Sequence, residues 1–278
     1  MAASSRTTNQ PAPLSGYGDR HFDGLADKFA ASLYGASRGE IRLAVLDHLL
    51  PRMLRLQEQP VLDVGAGLGH MSLWFAERGH SVTLAEPSTD MLEEARRQLA
   101  DRHASFLQLP LQQLGYEAPG PWPLIVCHAV LEWLGDPRAA LGMLAELLSP
   151  GGQLSLMVFN HDALRFSNVI KGNLDKALAD RLAGTGKRQR LTPISPLTHA
   201  EIETWAKESG LSIEAVAGVR VFHDYLRERH PSAETLTKLI ELERRYCMAE
   251  PYWRLGRYLL YTLTKPDTLT TSLASSES

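Results

Sequence analysis

A chain of 278 residues fits one large domain or a domain with an insertion, and 44% hydrophobic and 22% charged residues describe an ordinary globular protein, not a disordered one. A net charge of −3 excludes a global basic field, so any nucleic-acid partner must be held by a local patch. No apolar run reaches the roughly 18 residues of a membrane span, and MAASSRTTNQPAP lacks the apolar core of a secretory signal, so the expectation is a cytoplasmic protein with no membrane partner.

Residues 1–18 and 267–278 are rich in Ser, Thr, Ala and Pro without periodicity, and are expected to be disordered tails around a single domain, 19–266. Apolar residues at 22, 25, 26, 29 and 33 predict a helix between Phe22 and Leu33. Tyr34 to Gly39 breaks it, and Ser37 with Glu40 makes a capping box for a second helix ending near Leu50. Arg42 falls in the first turn of that helix, an unfavourable place for a cation beside the helix dipole. It is either a solvated arginine or one held there to meet an anion.

Pro60 to Gly69, PVLDVGAGLG, is the stretch around which the rest of the chain is organised. Val61 and Leu62 end a short apolar run, and Asp63 stands where a buried strand would emerge. Gly65, Gly67 and Gly69 then alternate before an apolar helical segment, His70 to Glu77. A strand passing into a helix through alternating glycines leaves backbone N–H groups uncovered, so a nucleotide-like ligand can come close. A dinucleotide fingerprint would need Gly or Ala at position 70, where His70 stands. Asp63, two places before the first glycine, suits an amino group better than a pyrophosphate. The pattern D-x-G-x-G-x-G resembles motif I of the class I S-adenosylmethionine (SAM) methyltransferases; a Gly-rich turn without a ligand is the plain alternative.

Strand and helix signals then alternate as in a doubly wound sheet. Ser81 to Ala85 is a second strand ending in Glu86, and a helix from about Thr89 to Ala100 turns Met91, Leu92, Ala95 and Leu99 inward. A third strand, Ala104 to Gln108, leads to Leu111 and Gln112. The fourth, Leu124 to Cys127, opens into His128-Ala-Val-Leu-Glu-Trp133. Cys127 reads as a buried thiol; with Cys247 far away, the two cysteines make neither a metal nor a redox spacing, and no metal site is expected. Asp136 and Pro137 are N-cap and first residue of the next helix, which stops at Ser149-Pro-Gly-Gly152. The fifth strand is Gln153 to Phe159.

Residues 160–197 interrupt the rhythm with a short helix, Ala163 to Ile170, and the basic stretch Gly184-Thr-Gly-Lys-Arg-Gln-Arg190. A segment this long reads as a lid or binding insertion. Thr198 and Glu201 cap a helix ending at Gly210, Ile213 to Val219 is a sixth strand, Ser232 to Cys247 an amphipathic helix, and Tyr258 to Thr264 a last strand. The fold class is therefore α/β, a Rossmann-like seven-stranded, mostly parallel sheet with helices on both faces.

Loops at the carboxyl ends of strands one to four are where open α/β sheets bind ligands. The glycine loop would pass under the methionine part of SAM. Glu86 would accept hydrogen bonds from the ribose hydroxyls, Leu111 and Gln112 would flank the adenine, and His128 would close the site.

Longer stretches carry a narrower resemblance. FDGLADKFAASLYGASRGEIR (22–42), CHAVLEWLGDPR (127–138), LLSPGGQLSLMVFN (147–160), GVRVFHDYLRE (218–228), IELERRYCMAEPY (240–252) and LGRY (255–258) resemble the tRNA 5-carboxymethoxyuridine methyltransferase family over roughly residues 20 to 265. The resemblance implies methyl transfer from SAM to the carboxylate of 5-carboxymethoxyuridine at the tRNA wobble position, giving a methyl ester. It implies cofactor contacts at Arg42, Gly65, Ala66, Glu86, Leu111, Gln112 and His128, to which motif I adds Asp63 and Gly67. A member of that family has Asp where this chain has Glu86, and a longer lysine run where this chain has KRQR.

An ionised carboxylate needs no general base, and none is expected. The chain's task is to exclude water and to hold an oxygen in line with the methyl–sulfur bond. Arg220, with His223 and Tyr225, is the candidate for orienting the substrate carboxylate, since a guanidinium fork fixes carboxylate geometry; a strand-edge surface cation is the alternative for Arg220. Lys187, Arg188, Arg190, Arg227 and Arg229 are the candidate phosphate contacts for a tRNA anticodon loop, and Phe222, Tyr225 and Trp133 are surfaces for unpaired bases. The competing readings are a SAM-dependent methyltransferase of a small carboxylic acid and a non-catalytic SAM-binding module.

Overall fold

The computed structural model describes residues 19, 37–183, 193–228 and 231–267. The helix expected between Phe22 and Leu33, nearly all of both tails, and Lys187, Arg188, Arg190 and Arg229 lie outside the described residues.

Strand residues divide between two cores in the period-2 manner of a sheet buried on both faces. In β1 (Val61–Val64) Val61 joins one core and Leu62 and Val64 the other; in β4 (Trp122–His128) Leu124 and Val126 face the first and Ile125 and Cys127 the second. The first core is closed by α1 (Ser37–Met53), α2 (His70–Ala76), α3 (Thr89–Gln98) and, late in the chain, α9 (Ala233–Tyr246). The second is closed by α4 (Leu114–Glu117), α5 (Pro137–Leu147) and α8 (His199–Glu208). With β2 (Val82–Ala85), β3 (Ala104–Leu107), β5 (Leu148–Phe159), β6 (Ser212–Val219) and β7 (Tyr258–Thr264), the strands form one sheet of order β3-β2-β1-β4-β5-β7-β6. The first five are parallel, and β7 runs antiparallel to both β5 and β6. The seven-stranded, mostly parallel α/β sheet is thus the one expected. No helix among the described residues is long and apolar enough to cross a membrane.

The local signals act through side chains. Asp136 Oδ1 accepts from Ala139 N–H at 2.9 Å with Pro137 behind it, and Thr198 and Glu201 exchange both bonds of a capping box. Ser37 departs from its expected capping role. It lies within α1, and its hydroxyl is 3.1 Å from His223 Nε2, which ties the start of α1 to the loop after β6. β5 starts earlier than expected because the Pro150-Gly151-Gly152 turn is drawn into the sheet, Gly151 N–H bonding Lys265 O and Lys265 N–H bonding Gly152 O, each at 3.0 Å. The insertion, with α6 (His161–Ile170) and α7 (Leu174–Leu178), leaves and rejoins the sheet at one point, where Leu197 N–H bonds Phe159 O and His161 N–H bonds Leu197 O.

One buried acid holds the segment after β6. Glu243 of α9 is fully buried and accepts three backbone N–H groups, from Val221 at 2.6 Å, Phe222 at 3.0 Å and His223 at 2.8 Å. Burial raises its carboxyl above the usual range, and the three donors oppose that rise. Glu243→Ala would leave three donors without an acceptor, each costing about 1–3 kcal/mol. We expect a loss of at least about 3 kcal/mol in unfolding free energy, read from the urea midpoint; an unchanged midpoint would refute this role.

Candidate active site

Backbone conformation makes the cleft. Gly65, Gly67 and Gly69 have φ of 66°, 56° and 83°, a region that L-residues with a Cβ rarely adopt. A Cβ on Gly65 would lie 2.4 Å from Val130 Cγ2, so a side chain there would close the gap between the β1 and β4 loops. A Cβ on Gly67 would meet nothing within 4 Å: the backbone at this point faces open space. Ala129, immediately after β4, has a φ of 62° without being glycine, a strained conformation of the kind that collects at functional sites.

Around this opening one cleft gathers Arg42, Asp63, Gly65, Ala66, Gly67, Glu86, Leu111, Gln112 and His128, all nine candidates for the cofactor. Asp63 is buried and accepts from Ser72 Oγ at 2.6 Å; burial raises its carboxyl to about 6, against the effect of that bond. Glu86 accepts from Gly67 N–H and Ser88 N–H, both at 2.9 Å, one on each oxygen, and an ionised carboxylate has further lone pairs to offer. Gln112 Nε2 donates to Asp19 Oδ2 at 2.6 Å, and Asp19 Oδ1 accepts from Gly135 N–H at 2.9 Å, so residue 19 docks at the rim. His128 shares a hydrogen with Ser155 Oγ at 2.8 Å; burial, then Arg42, lowers its imidazole to about 3 and keeps it neutral. Arg42 is buried, lines the cleft and lies 5.3 Å from the centroid of Tyr258, so it is not a solvated arginine.

The three candidates for the substrate carboxylate are not part of the cleft wall. Arg220 is buried with a φ of 62°, and its fork meets the Asp224 carboxylate at 3.0 and 3.3 Å, so it is no surface cation. Burial alone would raise Asp224, but Arg220, His223 and Arg257 outweigh it and hold the carboxyl well below the usual range. His223 reaches Ser37, and Tyr225 Oη donates to Leu255 O at 2.7 Å. Arg220 lies 5.6 Å from the centroid of Tyr258, a ring of the cleft wall that Arg42 also approaches. Of the basic candidates, Arg227 is described and exposed. Trp133 is buried in the cleft, Phe222 packs on Tyr246 and Tyr252, and Tyr225 meets Phe166 edge to face at 5.2 Å. Tyr258 and Glu132 also line the cleft, although the sequence singles out neither. Glu132 does carry a signal, a lone charge inside the apolar run AVLEWL.

A methyltransferase-domain model matches residues 38–216. The tRNA 5-carboxymethoxyuridine methyltransferase of Escherichia coli (strain K12) is 40% identical over 256 residues, 90% of this chain and 97% of that protein. The chain belongs to the SAM-dependent methyltransferase family. The ubiquinone biosynthesis O-methyltransferase of Xylella fastidiosa (strain 9a5c) is 30% identical to this methyltransferase over 63% of this chain and 69% of its own. In a solved Haloferax volcanii complex of a methyltransferase activator with a methyltransferase, one chain superposes with a TM-score of 0.58 at 20% identity, covering 87% of this chain and 98% of that one, a likeness of fold alone.

The cofactor of this methyltransferase is SAM, and the cleft fits it. The uncovered backbone at Gly67 can receive a ligand, Asp63 lies beside the glycine turn as an acceptor for an ammonium group, and Glu86 presents two carboxylate oxygens. Glu86→Ala should weaken SAM binding by about 1.5–3 kcal/mol, roughly 12- to 160-fold, in isothermal titration. Unchanged affinity would remove Glu86 from the ribose site.

Proposed function

We propose that this methyltransferase esterifies the carboxylate of 5-carboxymethoxyuridine at the wobble position of tRNA, giving 5-methoxycarbonylmethoxyuridine in the cytoplasm. The observation that carries the reading is the 40% identity that runs through nearly the whole length of the Escherichia coli tRNA enzyme, including the part beyond the general methyltransferase domain. That part supplies β7 with Tyr258, the Glu243-held loop and the Arg220–Asp224 pair.

Bound SAM supplies an electrophilic methyl group on a sulfonium. Every other requirement falls on the chain. A carboxylate substrate is ionised at neutral pH, so no proton has to be removed, and His128, kept neutral and bonded to Ser155, is consistent with a positioning role. Trp133, Leu134 and Phe159 give the cleft apolar walls, which favours a reaction that neutralises two opposite charges. Arg42, Asp63, the glycine loop, Glu86, Leu111, Gln112 and His128 would hold the cofactor. Arg220, His223 and Tyr225 would act from behind, keeping Tyr258 and Arg42 in place. Lys187, Arg188, Arg190, Arg227 and Arg229 would bind phosphates of the anticodon stem-loop.

The relationship to the ubiquinone biosynthesis O-methyltransferase favours a second reading, methylation of a small molecule. Purified protein with labelled SAM should methylate bulk tRNA and leave a metabolite extract unlabelled; the reverse result would establish the second reading. Activity at saturating SAM should lack a limb near pH 6.5 that His128→Asn abolishes, and such a limb would assign proton chemistry to His128 and sink the carboxylate substrate.

Replacing Lys187, Arg188 and Arg190 with Ala should flatten the slope of log K for tRNA against log salt by roughly 0.7 for each phosphate that the variant no longer holds. SAM affinity should not change. An unaltered slope would show that these residues do not touch RNA.

A further inference from the structure

Glu132 lies in the turn Leu131–Trp133 just after β4 and shares the cleft with Arg42, His128, Phe159 and Tyr258. It is 1% exposed, and its Oε2 has no hydrogen-bond partner among the described residues. Backbone N–H groups of Glu132 itself and of Phe159 act on its carboxyl and draw its pKa down. A buried carboxyl with one open oxygen in a ligand cleft marks a contact that a ligand completes, since buried polar atoms are otherwise paired.

We propose that Glu132 holds the substrate's carboxylate, Oε2 bonding the oxygen that does not attack, and so aims the other oxygen at the methyl group. The proposal rests on the carboxylate substrate of the proposed function.

Two acid groups can meet in this way only if one keeps a proton. Burial raises the Glu132 carboxyl to about 8, although backbone N–H groups and Arg42 pull it down, so at neutral pH it is an O–H donor and not a repelling anion. Oε2, the oxygen without a partner among the described residues, is the one placed to carry that proton toward a ligand. Neighbouring charges are few. Arg42 comes from α1; on β4, burial raises the Cys127 thiol and lowers His128, so both are neutral; Asp63 of β1 lines the same cleft and acts on Cys127. β7 brings Tyr258, and β5 brings Ser155 and Phe159, while on α5 Asp136 caps its own helix and Arg138 pairs with Glu208. A bound sulfonium favours the ionised form, and the methionine carboxylate next to it opposes this. In the transfer a C–O bond forms at the free substrate oxygen while the S–CH3 bond breaks, its electron pair going to sulfur. Glu132 moves no proton.

Infrared difference spectra of the cofactor-free protein, wild type against Glu132→Gln, should contain a protonated-carboxyl band at neutral pH that disappears as the pH is raised through about 8. In tRNA methylation, Glu132→Gln keeps an N–H donor and should stay within about threefold of wild type, losing the fall in kcat/KM that wild type shows on the alkaline side. Glu132→Ala should lose about tenfold or more in kcat/KM for tRNA, with SAM affinity within about twofold. Absence of the carboxyl band, an alkaline fall retained by Glu132→Gln, or loss of SAM binding in step with activity would each overturn the proposal. If wild-type protein methylates tRNA and the Ala variant does so equally well, the role of Glu132 fails while the substrate reading stands; if wild type esterifies no tRNA, the substrate reading fails and takes this role with it.

Discussion

Left-handed backbone at alternate positions of the turn from β1 into α2 is the constraint on which the rest of the site depends. Gly65 leaves room for Val130 of the β4 loop, Gly67 N–H meets Glu86 at the end of β2, and Gly69 allows α3 to approach, where a Cβ would come 2.9 Å from that of Ala95. Three neighbouring elements are therefore spaced by one turn whose alternate residues carry no side chain. That is why an acid on β2, a histidine on β4 and an arginine on α1 meet in one cleft although they are far apart in sequence.

The electrostatics of the cleft follow from the same closeness. Asp63, His128 and Glu132 are withdrawn from water, and burial moves each toward its neutral form, to about 6, about 3 and about 8. At neutral pH this leaves His128 and Glu132 uncharged, able to orient charged ligands without competing as counter-ions, while Asp63 remains mostly ionised. An environment of low polarizability also raises the strength of every charge–charge contact made inside it. Arg42 acts on His128 and Glu132, and both it and Arg220, whose charge is answered by Asp224, lie near the Tyr258 ring.

Much of this is legible in the sequence, for identifiable reasons. The glycine loop, the strand-end acid Glu86 and the capping pairs Asp136–Ala139 and Thr198–Glu201 are local devices whose causes lie within a few residues. The features that cannot be read depend on contacts distant in the chain. The ion pair of Arg220 with Asp224, four residues on, is one of them: it accompanies a φ of 62° at Arg220 and a Glu243 that holds the next three amides. Glu243 itself stands in a helix whose neighbouring pairs, Glu234 with Lys238 and Glu241 with Arg245, are exposed, and nothing local separates it from them. Ser37 misleads for a related reason: a capping signature is spent instead on a histidine 186 residues away.

The position of β7 has a consequence for how the protein is made. The last strand in the chain lies inside the sheet, between β5 and β6, and not at its edge. Until residues 258–264 have left the ribosome, β6 has no strand to pair with, and the β5 edge facing it is open. The five parallel strands can assemble during synthesis, whereas the final third of the sheet waits for pairings of long sequence separation, the slow kind. Tyr258 opens that strand, so the wall of the cleft next to Arg42 is completed only once β7 has been made.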